Sequence, residues 1–112
     1  MPQTMFDALV TALQATRIPF AVDEWATRPS TDHGVVALDG TGDSMNGDDE
    51  HEQTALTGYV DLYMHTDDST KRGAVESAIA SVCEGAWELN SRQYERQTHL
   101  THYEWVFELE SW

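Results

Sequence analysis

The sequence predicts an α+β domain, a single mixed, mostly antiparallel sheet of about five strands with two helices packed on one face. Three observations lead there. Residues 3–16 and 70–84 repeat apolar side chains at helical spacing. Residues 54–65 and 99–110 alternate apolar and polar side chains, the period of a half-buried strand. The elements run α-β-β-β-α-β-β with no βαβα repetition, so one sheet with both helices on one face is the economical way to bury the stripes.

The first helix is predicted over 3–16, where Phe6, Leu9, Val10 and Leu13 form a stripe and Pro2 and Thr4 suit the opening turn. It stops at Ile18-Pro19, because proline disfavours the helical region for the residue before it. A strand is expected over 19–25, then a link over 26–33 broken by Arg28-Pro29-Ser30. The run Gly34-Val35-Val36-Ala37-Leu38 reads as a strand buried on both faces. Residues 39–53 are almost devoid of apolar side chains and hold several glycines, which predicts a polar, flexible loop.

In the strand 54–65, Leu56, Val60, Leu62 and Met64 share one face, with Gly58 as a gap or bulge. Tyr59, Asp61, Tyr63 and His65 share the other, read as exposed. Asp67-Asp68-Ser69 offers an N-cap to the second helix. Val75, Ala78, Ile79 and Val82 form its stripe, and Gly85 suits its C-cap. Strands over 87–94 and 99–110 follow. The last carries Tyr103, Trp105, Phe107 and Leu109 on one face, which reads as core.

The chain has 112 residues, enough for one domain spanning 1–112. Twenty acidic residues face six basic ones, a net charge of -14. Such a surface repels nucleic-acid phosphates and anionic membranes. Cys83 is the single cysteine. Its neighbours Val75, Ile79 and Val82 predict a buried thiol with no disulfide and no nucleophilic role. No basic region followed by an apolar run marks a signal peptide, and no apolar stretch reaches membrane-spanning length.

No chemical motif stands out. A calcium loop starting at Asp39 would place Thr41 and Asp43 correctly, but Ser44 occupies the glycine position and Glu50 the twelfth place. A solvated loop is the simpler reading. His99 and His102 are three apart, which on a strand points them to opposite faces. They read as surface histidines of an edge strand, not zinc ligands. No GxSxG, phosphate loop or GxGxxG occurs, so no enzyme, cofactor or metal site is expected.

The whole layout resembles a known family. The helix closing Ala12-Leu13-Gln14-Ala15-Thr16-Arg17-Ile18-Pro19-Phe20-Ala21-Val22-Asp23-Glu24-Trp25 leads to Gly34-Val35-Val36-Ala37-Leu38-Asp39-Gly40. A polar loop follows, Val60-Asp61-Leu62-Tyr63 precedes the capped helix, and the chain closes on the aromatic strand Tyr103–Leu109. This resembles the tail-terminator, or tail-completion, proteins of long-tailed phages and prophages, encoded among the head–tail joining genes. The resemblance implies a virion structural protein of the tail, assembled in the host cytoplasm. It implies a homo-oligomeric ring, commonly six-fold, that caps the tail tube and presents a surface to the head connector. Its partners would be further copies of itself, the tail-tube protein and a head-completion protein. DNA would pass through without specific binding, and no membrane would be involved. No catalytic residue is carried over. By position and composition the candidate interface residues are Asp39, Asp43, Met45, Asp48, Asp49, Tyr59, Tyr63 and the terminal Trp112. The acidity also fits a second reading, a DNA mimic that blocks a host nucleic-acid-binding protein.

Overall fold

The computed structural model describes residues 2–43 and 54–110. Helix α1 (Pro2–Gln14) is followed by β1 (Phe20–Val22), β2 (His33–Asp43) and β3 (Thr54–Met64). Helix α2 (Ser69–Cys83), β4 (Trp87–Glu95) and β5 (Leu100–Glu110) complete the chain. The sheet order is β1-β2-β3-β5-β4, with β1 parallel to β2 and every other pair antiparallel. The α-β-β-β-α-β-β order and the mixed five-stranded sheet are those the sequence predicts. Among the described residues no helix is long and apolar enough to cross a membrane.

Both helices pack on one face of the sheet. Phe6, Leu9 and Leu13 of α1 and Val75, Ala78 and Ile79 of α2 bury against Val36, Val60, Leu62, Met64 and the β5 stripe Tyr103, Trp105, Phe107 and Leu109. Fully burying one such aliphatic or aromatic side chain contributes roughly 1.5–3 kcal/mol. Cys83 lies in this core, and burial pushes its thiol up to about 11. Trp105 is fully buried yet keeps its indole N–H satisfied, donating to Glu76 Oε2 of α2 at 3.0 Å.

Several boundaries differ from the sequence expectation. α1 ends at Gln14, two residues early, and Arg17 turns the chain with φ 72. β1 keeps only Phe20–Val22 of the expected 19–25, because Pro19 has no N–H to give and Asp23 turns out of the strand at φ 71. β2 reaches from His33 to Asp43, so the loop expected over 39–53 gives up its first five residues to a strand. Asp39, Gly40, Gly42 and Asp43 have little strand propensity. Cross-strand pairing of Gly40 to Asp43 with Thr57 to Thr54 overrides that, after a bulge between Leu38 and Gly40. Residues 44–53 of that loop lie outside the described residues. The C-cap of α2 is Glu84 at φ 54, not Gly85, and Asp68 caps the other end through Thr70 N and Lys71 N.

Two glycines let aromatic rings cross neighbouring strands. Phe20 lies beside Gly34 and Phe107 beside Gly58 in the register. A Cβ on Gly34 would enter the Phe20 ring, and one on Gly58 would meet the Ala37 carbonyl and the Phe107 ring. The gap expected at Gly58 is therefore real, and Phe107 fills it. The bulge itself lies on the partner strand β2. Gly73, in α2, has open space around its Cα.

Opposite effects of one substitution are expected. Gly58→Ala should cost about 2 kcal/mol through overpacking. Gly73→Ala should gain about 0.5–1 kcal/mol through helix propensity. Denaturant midpoints of the two variants check both signs.

Candidate functional site: the open sheet face and the basic end

Alternation sends every second residue of β2, β3 and β5 to the sheet face without helices. Register sets these side chains in rows. One row holds Ala37, Tyr59, Val106 and Glu88, the next Val35, Asp61, Glu104 and Ser91, and the third His33, Tyr63, His102 and Gln93.

The third row is a stack. Tyr63 lies between His33 at 5.0 Å and His102 at 4.2 Å, with interplanar angles of 17° and 19°. The link between β1 and β2 folds over it. Trp25 Nε1 donates to the Gly34 carbonyl at 3.0 Å, and the Arg28 guanidinium sits 4.3 Å from the Tyr63 ring centroid. Arg28 Nε donates to His33 Nε2 at 2.9 Å. That nitrogen is thus the acceptor, and Nδ1 carries the proton toward the Thr31 carbonyl at 2.7 Å. His33 is held neutral. Burial is the main cause of its lowered pKa, and the Arg28 charge adds to it. Tyr63 is pushed up to about 12, first by burial and then by the Asp61 charge.

His102 Nε2 meets Asp61 Oδ1 at 2.8 Å, and its Nδ1 lies 3.5 Å from Glu95. Glu95 closes the circuit by facing Arg28 at 3.7 Å.

 Glu95 is thus shared between the strand histidine and the overlying arginine. This circuit corrects two expectations. The β3 face read as exposed carries a buried Asp61 and a half-buried Tyr63. β5 lies inside the sheet, so His102 is no edge residue, while His99 is exposed in the turn before β5 at φ 58.

Beside the stack, Asp32 ties the same link to the rest of the fold. It accepts from Lys71 Nζ at 2.7 Å and from the His65 backbone N–H at 3.0 Å. Burial works against its ionised form, but these hydrogen bonds outweigh that and hold its carboxyl below the ordinary value. On the helix side of the sheet, Asp67 accepts from Arg92 Nη2 and from the Tyr103 hydroxyl, both at 2.9 Å.

The fold sorts charge along its length. Arg17, Arg28, Lys71, Arg72, Arg92 and Arg96 are all the lysines and arginines of the chain. Every one lies at the end where β3 and β4 finish and β2, β5 and α2 begin. At the opposite end Asp39, Glu84, Glu88 and Glu108 border shallow clefts that contain no basic side chain among the described residues.

The expected interface residues scatter. Tyr63 belongs to the stack, four residues along β3 from Tyr59, which is partly exposed on the same face. Asp39 accepts from the Thr57 hydroxyl at 2.7 Å at the acidic end. Asp43 pairs with Thr54 at the last rung of the β2–β3 ladder. Met45, Asp48, Asp49 and Trp112 lie outside the described residues. Arg28, His33, Asp61 and His102 were not singled out as a site, because their positions in sequence give no sign that they meet. The alternation of 99–110 could have placed His102 opposite the aromatic stripe, but not beside Tyr63.

No protein-family model matches the chain, and no curated protein matches it in sequence. A solved structure does share its fold. A chain from a structure described as the virion of a native gene transfer agent (GTA) particle superposes with a TM-score of 0.57. The match has 10% sequence identity and covers 95% of this chain and 90% of that one.

Two outcomes are expected for the stack. A histidine whose folded pKa lies below its unfolded value of 6.5 contributes stability that is full above 6.5 and lost as pH falls toward the folded value. Stability of the wild type should therefore drop across that acidic window, and His33→Gln should flatten the drop in denaturation measured at several pH values. His102→Phe should keep the ring stack but leave Asp61 without its hydrogen bond, at a cost of about 2 kcal/mol. Adding Asp61→Ser should recover much of that loss in a double-mutant cycle.

Proposed function

We propose that this chain is a structural component of a phage-like virion, and that it caps the tail tube and joins tail to head as a ring. The observation that carries the reading is the shared fold with a chain of a virion particle over nearly the full length of both. The resemblance of the sequence to tail-completion proteins supplies the finer assignment to the tail end.

The physical mechanism is polymer capping. A subunit adds to the growing end of the tube and offers the next tube subunit no equivalent surface. Assembly into a closed ring fixes the number of subunits that one tube end takes. The net charge of -14 suits a conduit, because an acidic lumen repels DNA and lets it pass without sticking. The sorting of charge gives the ring unlike ends, so head and tail neighbours would meet different surfaces. The role is one of assembly, with no reaction assigned to the chain.

The test is co-assembly with the tail-tube protein of the same prophage, followed by electron microscopy and light scattering. Substoichiometric amounts should halt tube growth and leave a ring on one end. Tubes that lengthen unchanged, with undecorated ends, would overturn the reading. If a basic nucleic-acid-binding protein then formed a salt-sensitive complex with the chain, DNA mimicry would replace it.

A further inference from the structure

Three large apolar side chains stand out among the described residues as exposed: Val22 at 43%, Leu89 at 44% and Tyr94 at 55%. All three belong to the two edge strands, β1 and β4. Val22 and Leu89 also share one row of the sheet. The register runs Val22, Val36, Val60, Trp105, Leu89 across all five strands. The three central members are fully buried, and only the two ends of the row are open.

We infer that copies of this chain join edge to edge, with β4 of one copy continuing the sheet of the next at β1, so that Leu89 packs beside Val22. This rests on the ring reading above and names the surface that would build the ring. Three features point to a second copy as the occupant. Both edges belong to the same sheet and have no strand on their outer side, although the Val22 carbonyl already accepts from the Glu24 N–H at 2.8 Å. β1 runs with β2 and β4 runs against β5, so two copies in the same orientation bring β4 and β1 together antiparallel. The buried apolar row then continues from one subunit into the next at the same level, without a shift of register.

The contact uses two different edges, so it is heterologous and generates a closed ring or an open filament according to the rotation between copies. It is small. β1 offers three residues, and the bulge between Leu89 and Ser91 interrupts the β4 ladder. Asp23 and Glu88 stand next to the joint in sequence and both are exposed, so like charges oppose it. Association should therefore be weak, rise with protein concentration and strengthen with added salt.

Cross-linking tests the geometry directly. Within one chain the two positions lie four strand spacings apart, about 19 Å. A disulfide bridges Cα atoms no more than roughly 7 Å apart. The full chain carrying Val22→Cys together with Leu89→Cys can thus form that bond only between copies. Mild oxidation should give a ladder of covalent oligomers, and neither single variant should pass the dimer. Independently, Leu89→Glu should weaken self-association in sedimentation by at least about tenfold, since a charge on an exposed edge blocks strand pairing and a carboxylate there adds to the repulsion from Asp23 and Glu88. Its melting temperature should stay unchanged, because the side chain it replaces is already half exposed.

A double variant that stays monomeric on oxidation would overturn the inference. So would oligomers that Leu89→Glu leaves intact, or association that salt weakens. These failures are distinct from failure of the ring reading. Oligomers insensitive to Leu89→Glu that still cap tubes would keep the ring and discard this joint. A cysteine-linked open filament that leaves tube growth unchanged would keep the joint and discard the cap.

Discussion

The pairing of β3 with β5 is the constraint on which the rest of the structure depends. Its register sets Leu62 beside Tyr103, Val60 beside Trp105 and Gly58 beside Phe107 on the helix side. A slip of one residue would turn all of these toward the open face and bring Asp61 and His102 into the core. Both helices pack on this pair, and β2 and β4 flank it. The Phe107 ring needs Gly58 as its neighbour, so a close approach of ring and backbone reinforces the same register.

That register also creates the stack on the other face. Tyr63 meets His102 because Tyr63 and His102 are cross-strand partners, and it meets His33 for the same reason across β2. The link between β1 and β2 then has a surface to close on. Arg28 covers the tyrosine, Asp32 reaches α2 through Lys71, and Trp25 holds the Gly34 carbonyl. A connection without regular structure is thereby fixed by directional contacts where little apolar area is available. The stack is a structural device at the basic end, and its histidines act there as hydrogen-bonding and stacking groups.

Charge adds a second level of organisation. A strongly acidic chain places its few cations at one end, where Arg28, Lys71 and Arg92 are matched by Glu95, Asp32 and Asp67. Exposed pairs of this kind contribute little stability one by one. Their joint effect is a molecule with two chemically different ends. For a subunit proposed to sit between a tube and a connector, that asymmetry would supply direction, and the proposed edge-to-edge pairing would supply the lateral joint.

Much of this was legible in the sequence. Alternation marked Tyr103, Trp105, Phe107 and Leu109 as core, helical spacing marked both helix faces, and Asp68 marked a cap. Such local periodicities depend only on backbone geometry, which neighbouring residues share. Strand ends were less legible, since Asp39 to Asp43 are drawn into β2 by a partner strand that local propensity does not record. The sites were least legible. Arg28, His33, Tyr63 and His102 come from a link and three strands, and the Val22–Leu89 row joins residues 67 positions apart. The sequence by itself determined which apolar stripes form the core beneath the helices. Only the tertiary structure decided which strands are neighbours, because cross-strand pairing is a long-range choice that sets the stack, the sorting of charge and the two open edges together.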